Sequence, residues 1–243
     1  MNNQDRVTNH ERHIATIERL QNLGLSYIGA RENGEGPELL RCEYAIRSGL
    51  HRGYYCPSPV FDLLVGNVKR GRRRHTAKDS EWPNITHCYH FDDSGKMICS
   101  EQFLNRILLC TEHLIYSGNT VHGIGIDPRG KLLSVSEEQY IGGKIQSYFY
   151  SSFAVMDGVP TCYDTRCETY HYDSAGLCSV DVECFHPQSH IYRCDELVFT
   201  RCNGYLSSYQ RRNNAAGLAV QCNLTYTPRI KRKADASFAP FRT

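Results

Sequence analysis

A chain of 243 residues is long enough for one large β domain or two small ones, and either buries a sizeable core. The charged fraction of 22% and the formal net charge of +2 exclude a global charge that would steer nucleic acid or acidic substrates to the protein. No apolar run approaches the ~20 residues of a membrane span, and no apolar segment of a secretory signal follows the polar residues 1–6. We therefore expect a cytoplasmic protein that does not enter the membrane.

The first part of the chain, residues 1–66, is predicted to hold a helix and short strands. The helix is predicted over residues 9–23 and ends at Gly24, because apolar residues recur there at helical spacing: Ile14, Ile17, Leu20 and Leu23. Two strands are then predicted, over residues 25–28 and 39–46.

Residues 67–84 are predicted to form an exposed basic and polar loop. Five basic residues occupy six positions: Lys69, Arg70, Arg72, Arg73 and Arg74. Such a cluster neutralises phosphates, and a nearby aromatic residue such as Trp82 stacks on bases, which makes nucleic-acid binding one functional hypothesis. A charge run is also typical of a solvated loop with no ligand, and that alternative stays open.

From residue 85 to residue 228 the sequence predicts an antiparallel meander of consecutive hairpins in an extended sheet. Val180 and Val182 alternate with Asp181 and Glu183, which is typical of a half-buried strand. Asp followed three positions later by Gly recurs between such runs and favours a type I turn that ends in a left-handed residue. The predicted fold class is mainly β with one N-terminal helix, and residues 229–243 are predicted to be a basic, poorly ordered tail.

The twelve cysteines leave two interpretations open. They form the disulfide framework of a secreted protein, or they are reduced thiols that serve as small apolar side chains. Cys99 and Cys178 lie within strand patterns, and no secretory signal is present. These features favour reduced thiols in the core.

Three turns share one spacing: an aromatic or aliphatic residue, Asp, two residues, Gly and a following apolar residue. They lie at residues 90–97, 125–132 and 171–177. This pattern resembles the YD-repeat (RHS) family over residues 89–185, although only the third copy has a Tyr-Asp pair. A generic Asp-x-x-Gly hairpin has the same pattern, so that alternative stays open. The resemblance implies meandering hairpins without a catalytic site, and a likeness to small immunity-type proteins of polymorphic toxin systems.

The predicted function is that of a non-enzymatic protein-binding module, specifically an immunity-type inhibitor that occludes a toxin or effector. Tyrosine gives a large contact area with a polar tip, and a sheet face of mixed charge suits the masking of a partner. The predicted partner-binding residues are Tyr148, Tyr150, Asp181 and Glu183. A nucleic-acid-binding protein that acts through residues 69–74 is the alternative.

A metal site is a further hypothesis, because four residues with zinc-ligand side chains follow a Cys-x-His-x3-His-x3-Cys pattern: Cys184, His186, His190 and Cys194. Turn and core positions explain the same residues without a metal, and no cofactor is predicted. The sequence lacks a nucleophile elbow, a phosphate-binding loop and a dinucleotide fingerprint. No catalytic residue is therefore predicted.

Overall fold

The computed structural model describes residues 3–31, 41–61, 70–189, 191–202, 205–213 and 218–223. Its helix α1 spans Asn3–Arg31, and two short 3₁₀ helices span Gly53–Tyr55 and Asp79–Asn84. The described strands are β1 (Arg41–Ile46), β2 (Arg72–Arg74), β3 (Ile85–Phe91), β4 (Met97–Leu104), β5 (Ile107–Ser117), β6 (Thr120–Ile126), β7 (Leu132–Ile141), β8 (Lys144–Met156), β9 (Val159–Asp173), β10 (Gly176–His186), β11 (Ile191–Cys202), β12 (Tyr205–Asn213) and β13 (Leu218–Asn223).

The described strands form one thirteen-stranded antiparallel sheet. Strands β3 to β13 follow one another as consecutive hairpins, so the predicted meander is confirmed. Strand β1 pairs with β3, and the short strand β2 pairs with β1 at the edge of the sheet. Among the described residues, no helix is long and apolar enough to cross a bilayer.

The first two Asp-x-x-Gly turns close as predicted. The N–H of Lys96 donates to Oδ1 of Asp92 (2.9 Å), and Gly95 follows with φ of 80°. The second copy repeats this geometry, because Lys131 N–H donates to Oδ1 of Asp127 at 2.8 Å. The carboxylate of each Asp therefore holds the turn, and the following glycine accepts the left-handed conformation without a Cβ clash.

Helix α1 lies across one face of the sheet, called the helix face below. His13 contacts β10, Gln21 contacts β9, Arg19 contacts β7 and Tyr27 contacts β5. The buried side chains of the helix pack with apolar residues of the central strands in one core cluster. The prediction of a helix is confirmed, but it continues to residue 31, so the predicted strand over residues 25–28 is wrong.

Gly24 explains why the predicted end of the helix is wrong. A Cβ at this position would lie 2.9 Å from Cδ1 of the buried Leu132 and 3.2 Å from Cγ1 of Val135. The glycine therefore allows close approach of the helix to strand β7. It does not end the helix.

Residues 47–61, the crossing segment, cover part of the opposite face, called the segment face. Tyr54 N–H donates to the hydroxyl of Tyr89 on β3 (2.8 Å), and the hydroxyl of Ser58 donates to Glu168 on β9 (2.6 Å). Gly53 has φ of 56°, and a Cβ there would lie 2.4 Å from the Tyr89 hydroxyl. The segment thus approaches the sheet too closely for another residue at this position.

The predicted basic loop is only partly a loop. Arg72–Arg74 form β2, in which Arg73 pairs with Ala45 of β1, and Asp79–Asn84 form a 3₁₀ helix. Residues 67–69 and the predicted tail over residues 229–243 lie outside the described residues. None of the ten cysteines whose side chains are described forms a disulfide bond, in accord with the reduced-thiol interpretation.

Candidate functional site

A buried arginine joins the crossing segment to the sheet. Nε and Nη2 of Arg52 donate to the two carboxylate oxygens of Glu112 on β5, at 3.0 and 2.7 Å. Nη1 of Arg52 donates to Glu138 on β7 at 2.5 Å. All three side chains are buried, and a buried charge is tolerated only when it is paired and hydrogen-bonded. One cation therefore holds two carboxylates beneath the crossing segment.

His51 extends this cluster toward a tyrosine. Nε2 of His51 lies 3.2 Å from Oε2 of Glu112, and the Tyr148 hydroxyl lies 2.7 Å from Nδ1 of His51. Burial alone would raise the pKa of Glu112, but Arg52 and His51 more than offset it and hold that pKa well below its usual value. Glu112 is therefore a carboxylate in the folded protein.

A cavity of about 210 Å³ opens beside the cluster on the segment face. Most of the residues that line it have polar side chains, and they come from the crossing segment and from six strands; they include His51, His87, Gln102, Glu112, Tyr150 and Tyr163. Pockets for drug-sized ligands measure roughly 300–1,000 Å³. The cavity therefore suits one amino-acid side chain or a similarly small group.

His87, one of the residues that line the cavity, has an unsatisfied polar atom. Its side chain is 1% exposed, and its Nε2 has no hydrogen-bond partner among the described residues. Its Nδ1 lies 3.2 Å from Oγ1 of Thr86. Burial and the neighbouring His51 lower the pKa of His87 from 6.5 to about 4, so the ring is neutral near pH 7. A polar group that enters the cavity would satisfy a ring nitrogen that otherwise has a desolvation cost.

Exposed apolar side chains lie at the end of the sheet where the cavity is found. The β4–β5, β6–β7 and β8–β9 hairpins all turn at this end, because strands of a meander alternate in direction. We define the rim as the exposed apolar residues of the first and third of these hairpins: Leu104, Ile107, Leu109, Met156, Val159 and Tyr163. Strands β5 and β8 are three strand spacings apart, so the apolar residues of the β4–β5 hairpin lie about 14 Å from those of the β8–β9 hairpin.

β-bulges add apolar side chains to these three hairpins. The register shifts leave Leu109, Leu133 and Tyr163 without a directly opposed residue. Leu133 and Tyr163 line the cavity, and Leu109 belongs to the rim. A bulge re-aims a side chain, and here it brings apolar groups to the cavity and to the rim beside it.

The predicted partner-binding residues do not form one surface. Tyr148 is 2% exposed, whereas Tyr150 lines the cavity and contacts His51, with ring centroids 4.5 Å apart and the ring planes tilted by 52°. Asp181 and Glu183 lie on the opposite, helix face. Glu183 contacts His13 of α1 there, at 3.1 Å. Of the four residues, Tyr150 alone lies at the cavity.

Most of the basic residues predicted to bind nucleic acid have partners within the chain. Arg70 donates to two backbone carbonyls of the crossing segment, and Arg73 donates to a tyrosine hydroxyl at 3.2 Å. Arg74 lies 3.5 Å from a glutamate carboxylate, and Arg72 is exposed. Lys69 lies outside the described residues. Nucleic-acid binding through this segment stays a prediction.

The predicted metal constellation is not brought together by the fold. Cys184 pairs with Arg193, whereas Cys194 pairs with Glu183, so the two cysteines lie on opposite faces of the sheet. Nδ1 of His186 lies 3.2 Å from a backbone oxygen of β9. His190 lies outside the described residues. The prediction that Cys184 and Cys194 share a metal ion is therefore wrong.

Sequence reasoning missed the buried charges. Glu112 is in phase with the buried Leu114, and Glu138 is in phase with the buried Tyr140. A charged residue at such a core position indicates a buried ion pair or a functional site, so these two residues could have been identified from the sequence. Arg52 had no such signal, because it lies in a segment without regular periodicity. No family model matches the chain, and no curated protein matches it either.

Proposed function

We propose that this chain is a non-enzymatic protein-binding module whose partner docks on the rim and inserts a polar side chain into the cavity. The observation that carries the proposal is the position of the rim beside a cavity with an unsatisfied nitrogen at His87. Interfaces combine apolar anchors with a few placed polar groups, and their binding energy concentrates in such pockets.

The chemistry of the cavity favours binding over catalysis. Both oxygens of Glu112 face Arg52 or His51, and the hydroxyl on the other side of His51 belongs to the buried Tyr148. Burial, with the nearby charge of Glu112, raises the pKa of the Cys110 thiol to about 12. A thiol of that kind stays protonated at neutral pH and is a poor nucleophile. We therefore propose no catalytic residue.

Within this class we propose an immunity-type inhibitor that occludes a toxin or effector in the cytoplasm. The support is an analogy of fold: the Asp-x-x-Gly hairpins resemble YD repeats, which occur in polymorphic toxin systems, and small proteins with irregular hairpin repeats resemble the immunity proteins that accompany such toxins. A row of hairpin ends also offers a broad edge that covers a partner's site.

Affinity capture from a nuclease-treated lysate of the source organism tests the proposal. Ile107 is 66% exposed on the rim, and Ile141 is 67% exposed at the other end of the sheet. The tagged wild-type chain should retain one stoichiometric protein, the Ile107→Asp variant should lose at least about tenfold of it, and the Ile141→Asp control should keep it. Equal capture by all three chains would contradict the proposed surface. Nucleic acid that disappears with nuclease, in place of a protein, would support the alternative through residues 69–74.

A further inference from the structure

Three zinc-ligand side chains meet on the helix face at strands β1 and β3. Cys42 of β1 pairs with His90 of β3, and Cys88 lies two residues before His90 on the same face. The two sulfur atoms and a ring nitrogen of His90 all lie within 4.8 Å of one another. Sγ of Cys42 is 3.3 Å from Nδ1 of His90.

We propose that Cys42, Cys88 and His90 bind Zn²⁺. Thiolate sulfur and imidazole nitrogen are the preferred zinc ligands, with tetrahedral Zn–S and Zn–N bonds of about 2.3 and 2.0 Å that place ligand atoms roughly 3.5 Å apart. The observed separation of Cys42 and His90 is close to this value, so coordination needs only small side-chain shifts. Each bound thiol releases its proton to solvent, and the metal takes its place.

The surroundings of His90 resemble those of a metal-binding histidine. Nε2 of His90 lies 3.0 Å from Oε2 of Glu101 on strand β4. A carboxylate at one ring nitrogen fixes the tautomer, orients the ring and leaves the other nitrogen free to bind a metal. Here the nitrogen that remains is Nδ1, which faces the cysteine.

Cys99 of β4 lies next to this group, but its sulfur is not among the ligand atoms that lie within 4.8 Å of one another, so it would become the fourth ligand only after its side chain moves closer. It pairs with His90 from the side opposite to Cys42, so all three lie in one row on the same face. Cys99 is also buried. The alternative occupant of the fourth position is a water molecule, which would leave the site open.

The metal site is independent of the proposed partner-binding surface. The cavity is on the segment face, to which the neighbouring Tyr89 points, whereas Cys88 and His90 point to the helix face. Bound Zn²⁺ would tie β1 to β3, and β1 is the strand that interrupts the sequential order of the sheet. Its role would be structural, since metal that binds only the folded chain stabilises it.

The test uses the full chain, purified under reducing conditions without chelator. We expect about one equivalent of zinc by elemental analysis, and a tetrahedral thiolate spectrum when Co²⁺ replaces it. The variants Cys42→Ser and His90→Gln should weaken Co²⁺ binding at least about tenfold. Cys184→Ser is the matched control, since this half-buried cysteine lies elsewhere in the sheet, and it should bind as the wild type does.

Circular dichroism of each variant separates loss of the site from loss of the fold, and the half-exposed Cys42 is the safer of the two positions. A Cys99→Ser variant that binds less tightly would identify the fourth ligand as a thiolate, and unchanged binding would identify it as water. Sub-stoichiometric zinc in the wild type overturns the proposal, as does equal weakening in the Cys184→Ser control. A Cys42–Cys88 disulfide in a chain that takes up no Co²⁺ after reduction overturns it as well.

Discussion

Replacement of Arg52 by methionine should destabilise the protein strongly. The change removes the buried cation that pairs with Glu112 and Glu138 and keeps most of the side-chain volume. Loss of one partner of a buried ion pair costs about 3–5 kcal/mol, because a charge is left without compensation. Arg52 has φ of 55°, and methionine meets the same backbone strain, so this term cancels. We expect a loss of about 4 kcal/mol, or roughly a thousandfold in the folding equilibrium constant.

Urea unfolding followed by circular dichroism at pH 7 measures this loss. Arg129→Met is the matched control, since Arg129 is 82% exposed at a hairpin turn and should change the free energy of unfolding by at most about 0.5 kcal/mol. Addition of Glu138→Gln to Arg52→Met should recover part of the lost stability, because it neutralises one of the two buried carboxylates that the first change leaves without a cation.

The pH dependence of the stability is a second, independent test of the role of Arg52. In the wild type the low pKa of Glu112 contributes stability that is present above its unfolded pKa of about 4.3 and is lost as the pH falls further. Without Arg52, burial should raise this pKa, so the variant should approach the wild type as the pH falls from 7 toward 5. A loss below about 1 kcal/mol at pH 7 would contradict the role of Arg52 as the counter-charge of Glu112 and Glu138. A stability difference between variant and wild type that does not narrow in acid would contradict it as well.

Four other single changes, one of them a control, test three separate contacts by urea unfolding. Between pH 6.5 and about 4, His87 binds a proton in the unfolded chain but not in the folded one, so acid should remove up to about 3 kcal/mol of stability. His87→Gln should therefore reduce the loss of stability with falling pH. The same pH dependence in wild type and variant would contradict this role of His87. Gly24→Ala should reduce the stability by about 1–3 kcal/mol, because the new Cβ would lie 2.9 Å from a side-chain atom of Leu132. Gly29→Ala in the same helix is the control: its Cβ would have no neighbour within 4 Å, so the stability should rise by about 0.5–1 kcal/mol. Effects of the same sign at both positions would contradict the packing of Gly24 against β7. Gly123→Ala places a Cβ 2.1 Å from a carboxylate oxygen of the buried cluster and should cost more than about 3 kcal/mol; wild-type stability would argue against the close packing there.

Much of the fold could be predicted because its signals are local. Asp92 and Asp127 each bond the backbone four residues ahead, so the sequence of one turn is enough to place it. The period of two in the strands likewise depends on neighbours in the chain. The extent of helix α1 could not be predicted, because Gly24 serves a contact with a strand more than 100 residues away, while its local signal is that of a helix end.

The candidate sites depend on pairing between distant strands, which spacing along the chain does not reveal. Cys184 and Cys194 have a suitable spacing but face opposite ways, because strands β10 and β11 form a hairpin with that register. Cys42 and Cys88 are far apart in the sequence, and only the insertion of β1 beside β3 brings them together. Glu112 and Glu138 could be recognised in the sequence as charged residues at apolar positions of their strands. Their partner Arg52 could not, because it lies in an irregular segment.

The most direct test of the partner-binding surface is photo-crosslinking in cells of the source organism. A photoreactive phenylalanine analogue replaces either Met156 on the rim or Ile141 at the other end of the sheet, and both side chains are exposed in the free protein. We expect a protein adduct of one defined mass from position 156 and none from position 141. Adducts of the same pattern from both positions, or an adduct from position 141 alone, would contradict a partner-binding surface at the rim.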